Sequence, residues 1–247
     1  MEEFFKVNGL VIGQKYPTKS SGELVVKSFY RNPQDMYVYA VVEFVTTRTR
    51  KDVRVGNVLR GQVKDDYLPS VYSVGYLGRV VKGENKIEYA LWIRMLRRCY
   101  DKDYIGYKYY GGCGVTVDKE WHNFSEFLEY YKQHNIEGFT LDKDLLSPEV
   151  GKVYSKSTCC FIPRSVNSLL GSTDRGDGVE PNGTGWRYGG GSYPRRRFPT
   201  KKQAYKYRSE CFQGRLDTFL LEYSSILPER VLTALNTRLQ KEIDKTC

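Results

Sequence analysis

Between Gly138 and Leu170 the residue pattern changes three times within one short stretch, and that run constrains the fold more than any other part of the chain. It reads as a strand carrying Asp142, a loop set by Pro148 and Gly151, a second strand around Cys160 to Ile162, and a helix from about Arg164 carrying Asn167. In such a strand, loop, strand, helix unit the start of the first strand and the first turn of the helix can face each other. Asp142 and Asn167 are therefore expected to supply two oxygen ligands to one divalent cation. Hard oxygens suit Mg2+ or Mn2+, ions that bind phosphate esters and stabilise a departing oxygen.

The flanks give the rest of the architecture. Leu24 to Tyr30, Met36 to Thr46 and Asp52 to Leu59 are rich in Val, Tyr and Phe and are bounded by turn residues such as Ser20-Ser21-Gly22 and Asn32-Pro33. They predict short strands in a small, barrel-like β-module that carries no catalytic constellation. A linker from Lys82 to Lys86 leads into a helix. There Trp92, Met95, Leu96 and Cys99 recur at the spacing of one helical face, which leaves Arg94, Arg97 and Arg98 for solvent or for phosphate. Tyr109 to Gly114 reads as a turn and Val115 to Val117 as a strand. A second helix opens at Asn123, with Glu126 three residues on as in a capping box, and with Phe124, Phe127, Leu128 and Tyr131 on its apolar face. Past Leu170 the chain is glycine-rich to Gly191. Thr200 with Gln203 then signals another capped helix, in which Leu216, Phe219, Leu220 and Tyr223 form one stripe, and Val231, Leu232, Leu235 and Leu239 form the next after Pro228. The expected class is α+β in three parts: a β-rich module over 1–84, a strand and helix unit over 85–171, and a basic, helical region over 172–247.

Charge narrows the partners. The formal net charge is +10, enough to favour an anionic polymer through release of its counterions. Its arrangement says more. From Trp186 to Arg208 there are Arg187, Arg195, Arg196, Arg197, Lys201, Lys202, Lys206 and Arg208 without one acid, and Tyr188, Tyr193, Phe198, Tyr205 and Tyr207 lie among them. Cations beside flat rings are what a nucleic-acid surface needs, so Trp186, Arg187, Arg195, Arg196, Arg197, Lys201 and Lys202 are the expected DNA contacts. The longest apolar runs, such as Tyr37 to Val45, fall short of a membrane span, and no basic stretch precedes an apolar one at the amino terminus; a cytoplasmic protein with no membrane partner is expected. The six cysteines show no Cys-x-x-Cys spacing and are read as reduced.

The series Tyr89, Trp92, Met95-Leu96-Arg97-Arg98-Cys99-Tyr100, then Val115 to Val117, Glu120-Trp121, Phe124 and Phe127, then Leu141-Asp142-Lys143-Asp144, Tyr154-Ser155, Cys159, Pro163 and Asn167 resembles the HNH-like (His-Me finger) homing endonucleases common in phage genomes. The resemblance covers about Gly75 to Leu170. It implies a ββα-metal finger, metal-dependent hydrolysis of double-stranded DNA as an endonuclease or nickase, and, for a phage protein, the cytoplasm of an infected bacterium. It places Asp142 and Asn167 as ligands of one Mg2+ or Mn2+ and sets Thr158 near the asparagine that fixes the loop. It also marks a departure: where the family has the histidine that activates water, this chain has Lys143. A lysine is protonated at neutral pH, so it clamps phosphate without any shift, whereas a base role needs a large one. Asp144, His122 and His134 are the other candidate bases. The alternative implied by Lys143 is a catalytically inactive DNA-binding protein on the same scaffold. After the finger, Gly185 to Phe198 with the Thr200 helix is similar to a shortened ethylene-response-factor-like DNA-binding segment, over a hairpin and one helix; a flexible basic arm is the other reading.

Overall fold

The computed structural model describes residues 6–80, 83–146, 152–173, 178–190 and 193–245. The class is α+β, and the chain divides into two compact units: residues 1–107 with 119–129, and residues 108–118 with 130–247. No helix among the described residues is long and apolar enough to cross a membrane.

In the first unit, β1 (Lys6–Val7) and β2 (Leu10–Val11) form a small hairpin, and β3 (Lys15–Pro17), β4 (Glu23–Arg31), β5 (Val38–Phe44) and β6 (Arg50–Arg54) form an antiparallel meander in that order. Leu24, Val26, Ala40, Val42, Phe44 and Val53 alternate onto its buried face. The expected barrel is an open sheet among the described residues, since no ladder joins β3 to β6. A second correction concerns Asp52 to Leu59: the strand stops at Arg54 and α1 (Val55–Leu59) follows. Val55 and Val58, one helical turn apart, are both buried, so three-residue spacing rather than alternation carries the last apolar residues into the core.

α2 (Lys86–Tyr100) buries Trp92, Met95, Leu96 and Cys99, the stripe expected from the sequence. Arg94 and Arg97 stay exposed, Arg97 donating to Asp101 at 3.2 Å and lying 4.8 Å from the centre of the Tyr104 ring. The segment before it is fixed by two glycines. A Cβ on Gly75 would meet the Trp92 ring at 2.8 Å, and one on Gly78, whose φ is +69°, would overlap Asn123 Oδ1 and Ser125 Oγ. Tyr76 is thereby held in a parallel bridge to Asn123 at the start of α3 (Phe124–His134). The Asn123 carboxamide oxygen accepts from the Ser125 N–H at 3.1 Å, the capping contact that starts this helix.

The second unit contains the strand, loop, strand, helix run around Asp142. Tight 3-10 turns between Tyr107 and Cys113 precede β7 (Thr116–Val117), and β8 (Phe139–Asp142), β9 (Val153–Tyr154), β10 (Cys160–Pro163) and α4 (Arg164–Thr173) follow. β8 and β10 pair antiparallel with Asp142 opposite Cys160, while β9 leaves the hairpin loop to pair parallel with β7. Beyond it, β11 (Glu180–Asn182), β12 (Gly185–Gly190) and β13 (Tyr193–Phe198) form a three-stranded antiparallel sheet that packs on α5 (Lys201–Tyr223), and α5 packs on α6 (Glu229–Ile243). The Thr200 and Gln203 capping box forms as read from the sequence.

One core joins these parts. Leu145, Ile162, Val166 and Leu170 from this hairpin and helix unit cluster with Tyr188, Ala204, Phe212, Leu216, Leu235 and Leu239 from the region that follows. The flexible basic arm, one of the two readings of this segment, is instead a packed sheet in which a third strand, β11, lies beside the hairpin. At the far end of the α5 and α6 pair, Arg208 is 0% exposed and its guanidinium donates to both the carboxylate and the backbone carbonyl of Glu242.

Candidate metal and nucleic-acid site

Asp142 is the last residue of β8, not the first as its expected role had it. The antiparallel register explains the difference. β10 ends at Pro163 beside Phe139, the start of β8, so α4 begins there and runs back along the hairpin towards Asp142. Asn167, in its first turn, and then Leu170 and Gly171 meet the far end of the strand. Asp142, Asp144, Asn167, Leu170 and Gly171 all line one cavity of about 420 Å³.

Within it Asp142 is 9% exposed, and its Oδ1 accepts from the backbone N–H of Asp144 at 3.0 Å and of Leu145 at 2.8 Å. This local turn anchors the carboxylate, and among the described residues no hydrogen bond reaches its Oδ2. Burial raises the Asp142 pKa above its ordinary value; the N–H donation from Leu145 opposes the shift and the Asp144 charge adds to it. The Lys143 charge and the Asp144 N–H oppose the shift as well, and burial outweighs them. Burial also pushes the Cys159 and Cys160 thiols up to about 12, with the Asp142 charge adding to both. They remain protonated, and neither lines the cavity, which leaves the oxygens as the donors.

The donor set of Asp142 with Asn167, and Asp144 beside them, fits a hard divalent ion such as Mg2+ or Mn2+, which takes one or two carboxylates and fills its other positions with water and substrate oxygens. Among the described residues no group of three or more His, Cys, Asp or Glu side chains is placed to hold a metal ion, so the donor set here is two carboxylates and an amide. Thr158 pins the loop that precedes β10: its Oγ1 donates to the Val153 carbonyl at 2.6 Å and accepts from the Ser155 N–H at 3.1 Å.

Lys143 is buried at 9% exposure, forms an ion pair with Asp144 and lies 5.9 Å from the centre of the Tyr154 ring. Neither histidine lines the cavity. His122 shares a 3.1 Å hydrogen bond with the Tyr100 hydroxyl, and His134 bonds the Tyr130 carbonyl at 2.9 Å and stacks on that ring. Among the candidate bases only Asp144 reaches the site.

The seven expected DNA contacts divide between two faces of the β11 to β13 sheet and the start of α5. Trp186, Tyr188, Arg196 and Phe198 face α5: Arg196 lies 4.7 Å from the Tyr207 ring centre, and Lys201 lies 5.3 Å from that of Trp186. Strand alternation puts Arg187 and its direct partner Arg197 on the opposite, solvent face, while Arg195 is exposed beside the irregularity in the β12 and β13 ladder. Lys202 is exposed on α5. Arg208 is the correction to the basic run, being consumed inside the fold by Glu242. The run is also less free of acid in space than in sequence, because Glu180 of β11 accepts from Arg187 at 2.6 Å.

Sequence reasoning missed two residues of the cavity altogether. Arg238 and Lys241 of α6 line it with Ala234 and Thr237. Their spacing of three, four and seven residues marks one face of a helix, but nothing in the sequence says which segment that face meets. No protein-family model, no curated protein and no solved structure matches the chain.

Proposed function

We propose that this protein is a metal-dependent endonuclease or nickase of double-stranded DNA, related to the phage HNH-like homing endonucleases. The observation that carries the reading is the convergence of Asp142 and Asn167 in one cavity at the end of a hairpin and helix unit. A bound Mg2+ or Mn2+ would supply Lewis acidity at the phosphate and stabilise the departing oxygen. The chain's own part is positional: the turn after β8 holds Asp142, α4 holds Asn167, and Thr158 holds the intervening loop. The exposed arginines of β12 and β13 supply the binding surface. The exposed Arg195 and Arg197, beside the Arg187 and Glu180 ion pair, support an anionic ligand on this sheet.

A second reading has its own observation. Lys143 stands where the family has its histidine, and its ion pair with Asp144 engages the one candidate base within the cavity. A DNA-binding protein that has lost cleavage would look like this. Plasmid nicking with Mg2+ and with Mn2+ distinguishes the two. The endonuclease reading expects nicking by the wild type and none by Asp142→Ala, with DNA affinity little changed in the variant. Equal cutting by both would show the site to be misassigned; no cutting by wild type or Lys143→His with either metal, alongside retained DNA binding, selects the inactive scaffold.

A further inference from the structure

We infer that the β-rich module is a second duplex-DNA contact, in which Lys19 and Arg60 grip the sugar-phosphate backbone of one strand. This role rests on the proposed DNA substrate and falls to a part of the chain that carries no catalytic constellation. Over residues 6–80 there are twelve Lys and Arg against six Asp and Glu. All six acids are engaged elsewhere. Glu23 pairs with Lys15, Asp35 with Arg54, Glu43 with Lys27 and Arg50, and Asp66 with Lys51, while Asp52 accepts from the Tyr30 hydroxyl and Asp65 from those of Thr47 and Thr49. Among the described residues Lys19 and Arg60 form no ion pair.

Backbone geometry brings these two cations together. The Lys19 N–H donates to the Gly61 carbonyl at 2.9 Å, and Lys19 and Arg60 line one cavity of about 420 Å³ to which no described acid contributes. Arg60 is held without being neutralised. Its Nη2 donates to Asn57 Oδ1 at 2.7 Å and its Nε to Gln62 Oε1 at 3.0 Å, both neutral amides. The guanidinium lies over Gly56, where a Cβ would stand 3.3 Å from Nη1. Its remaining N–H groups face a phosphate in a fixed orientation with the charge intact, the arrangement that planar recognition of phosphate uses. The rest of the wall suits a deoxyribose: Leu59 is 52% exposed although large and apolar, and Pro17 and Tyr16 stand in the same cavity. Lys6, Arg31, Arg48, Lys64 and Arg79 likewise form no ion pair among the described residues. The surplus therefore extends beyond the cavity, as a polyanion requires and a small ligand does not. Contacts of this kind position a duplex without reading its sequence.

The test uses the full chain with Lys19→Ala, Arg60→Ala, Arg60→Lys and the double alanine variant. Arg31→Ala is the control, removing the same charge at the end of β4 away from its pairing with Tyr16. Lys19, Arg60 and Arg31 are all exposed, and a thermal melt of each variant checks that the fold is kept. Affinity for a duplex oligonucleotide of arbitrary sequence is followed by fluorescence anisotropy from about 50 mM to about 500 mM salt. Each alanine at the site should weaken binding about tenfold at the lowest salt and lower the slope of log affinity against log salt by about 0.9, and the double variant should show both losses together. Arg60→Lys keeps the charge but not the fork, so it should retain the slope and recover only part of the affinity. Arg31→Ala should stay near wild type. A double variant equal to wild type in affinity and slope overturns the inference, as does a control that falls as far as the site variants, since net charge alone would then account for the loss. A mononucleotide that binds the wild type but not the double variant, with duplex affinity unchanged, makes the cavity a small-ligand pocket and also overturns it. A wild type that binds no duplex sinks this role together with the DNA reading. One that binds through Lys19 and Arg60 yet nicks nothing leaves the role standing and removes only the endonuclease reading.

Discussion

Asp142 links chemistry to stability at a single residue. Its folded pKa is raised by burial, so the ionised carboxylate is disfavoured in the folded state; stability falls as pH rises through that pKa and is regained as pH falls through it. Asp142→Asn keeps an Oδ1 acceptor for the Asp144 and Leu145 N–H groups and removes the desolvated charge. We expect the metal-free variant to melt above wild type at pH 7 by roughly 2–4 °C, the shift that about 1 kcal/mol makes in a chain of this size. Added Mn2+ should raise the wild-type melting temperature and leave the variant's alone, and the wild-type response should fade as pH drops towards the Asp142 pKa. A variant that melts below wild type, or one that still responds to Mn2+, removes Asp142 from the metal site. The neighbouring lysine gives a second residue-scale prediction. If Lys143 only clamps phosphate, Lys143→His restores a base and raises nicking by up to about 10² to 10⁴. If Lys143 is itself the base, Lys143→His changes the pH profile and Lys143→Ala costs rate far more than affinity; rates across pH 6 to 10 separate the two.

Among the elements, the segment ahead of α2 and the start of α3 depend on close approach. Gly78 combines a positive φ with no space for a Cβ beside Asn123 and Ser125, which are themselves the cap of α3. Gly78→Ala should therefore cost about 2–4 kcal/mol through strain and loss of the cap together, measured by urea unfolding. Thr200→Ala, which removes the capping box of α5 with no clash, should cost only about 1 kcal/mol. A Gly78→Ala variant no less stable than Thr200→Ala would mean that the turn relaxes away from α3.

For the molecule as a whole, the hairpin and helix unit around Asp142 and the carboxyl-terminal region share one core, so deleting residues 172–247 should do more than remove the proposed DNA contacts. Val166, Leu170 and Leu145 would lose the apolar surface of α5 and α6. We expect the truncated chain to aggregate or to lack a cooperative melt, rather than to survive as a weaker DNA binder. Arg208 offers a subtler test of the same coupling. Arg208→Ala leaves the Glu242 carboxylate buried beside one remaining cation, Lys245, and should cost about 3–5 kcal/mol, whereas the double replacement Arg208→Met with Glu242→Met should recover most of it. A stable, monomeric fragment over 1–171 would show that the shared core is dispensable.

Sequence alone determined what local chemistry decides. The apolar stripes of α2, α3, α5 and α6, the Thr200 cap and the order strand, loop, strand, helix around Asp142 and Asn167 were all legible, because period and capping depend on neighbours a few residues away. The same run of residues could not show that α4 folds back along its hairpin, which places Asn167 against the end of β8 and not its start. Nor could it show that Arg208 is buried while Arg187 and Arg197 face solvent, since a cation's role depends on which surface its element presents. Lys241 and Arg238 lay furthest from reach. They stand some seventy residues after Asn167 in sequence, and only the packing of α6 against the shared core, driven by burial of Leu235 and Leu239, brings them to the wall of its cavity.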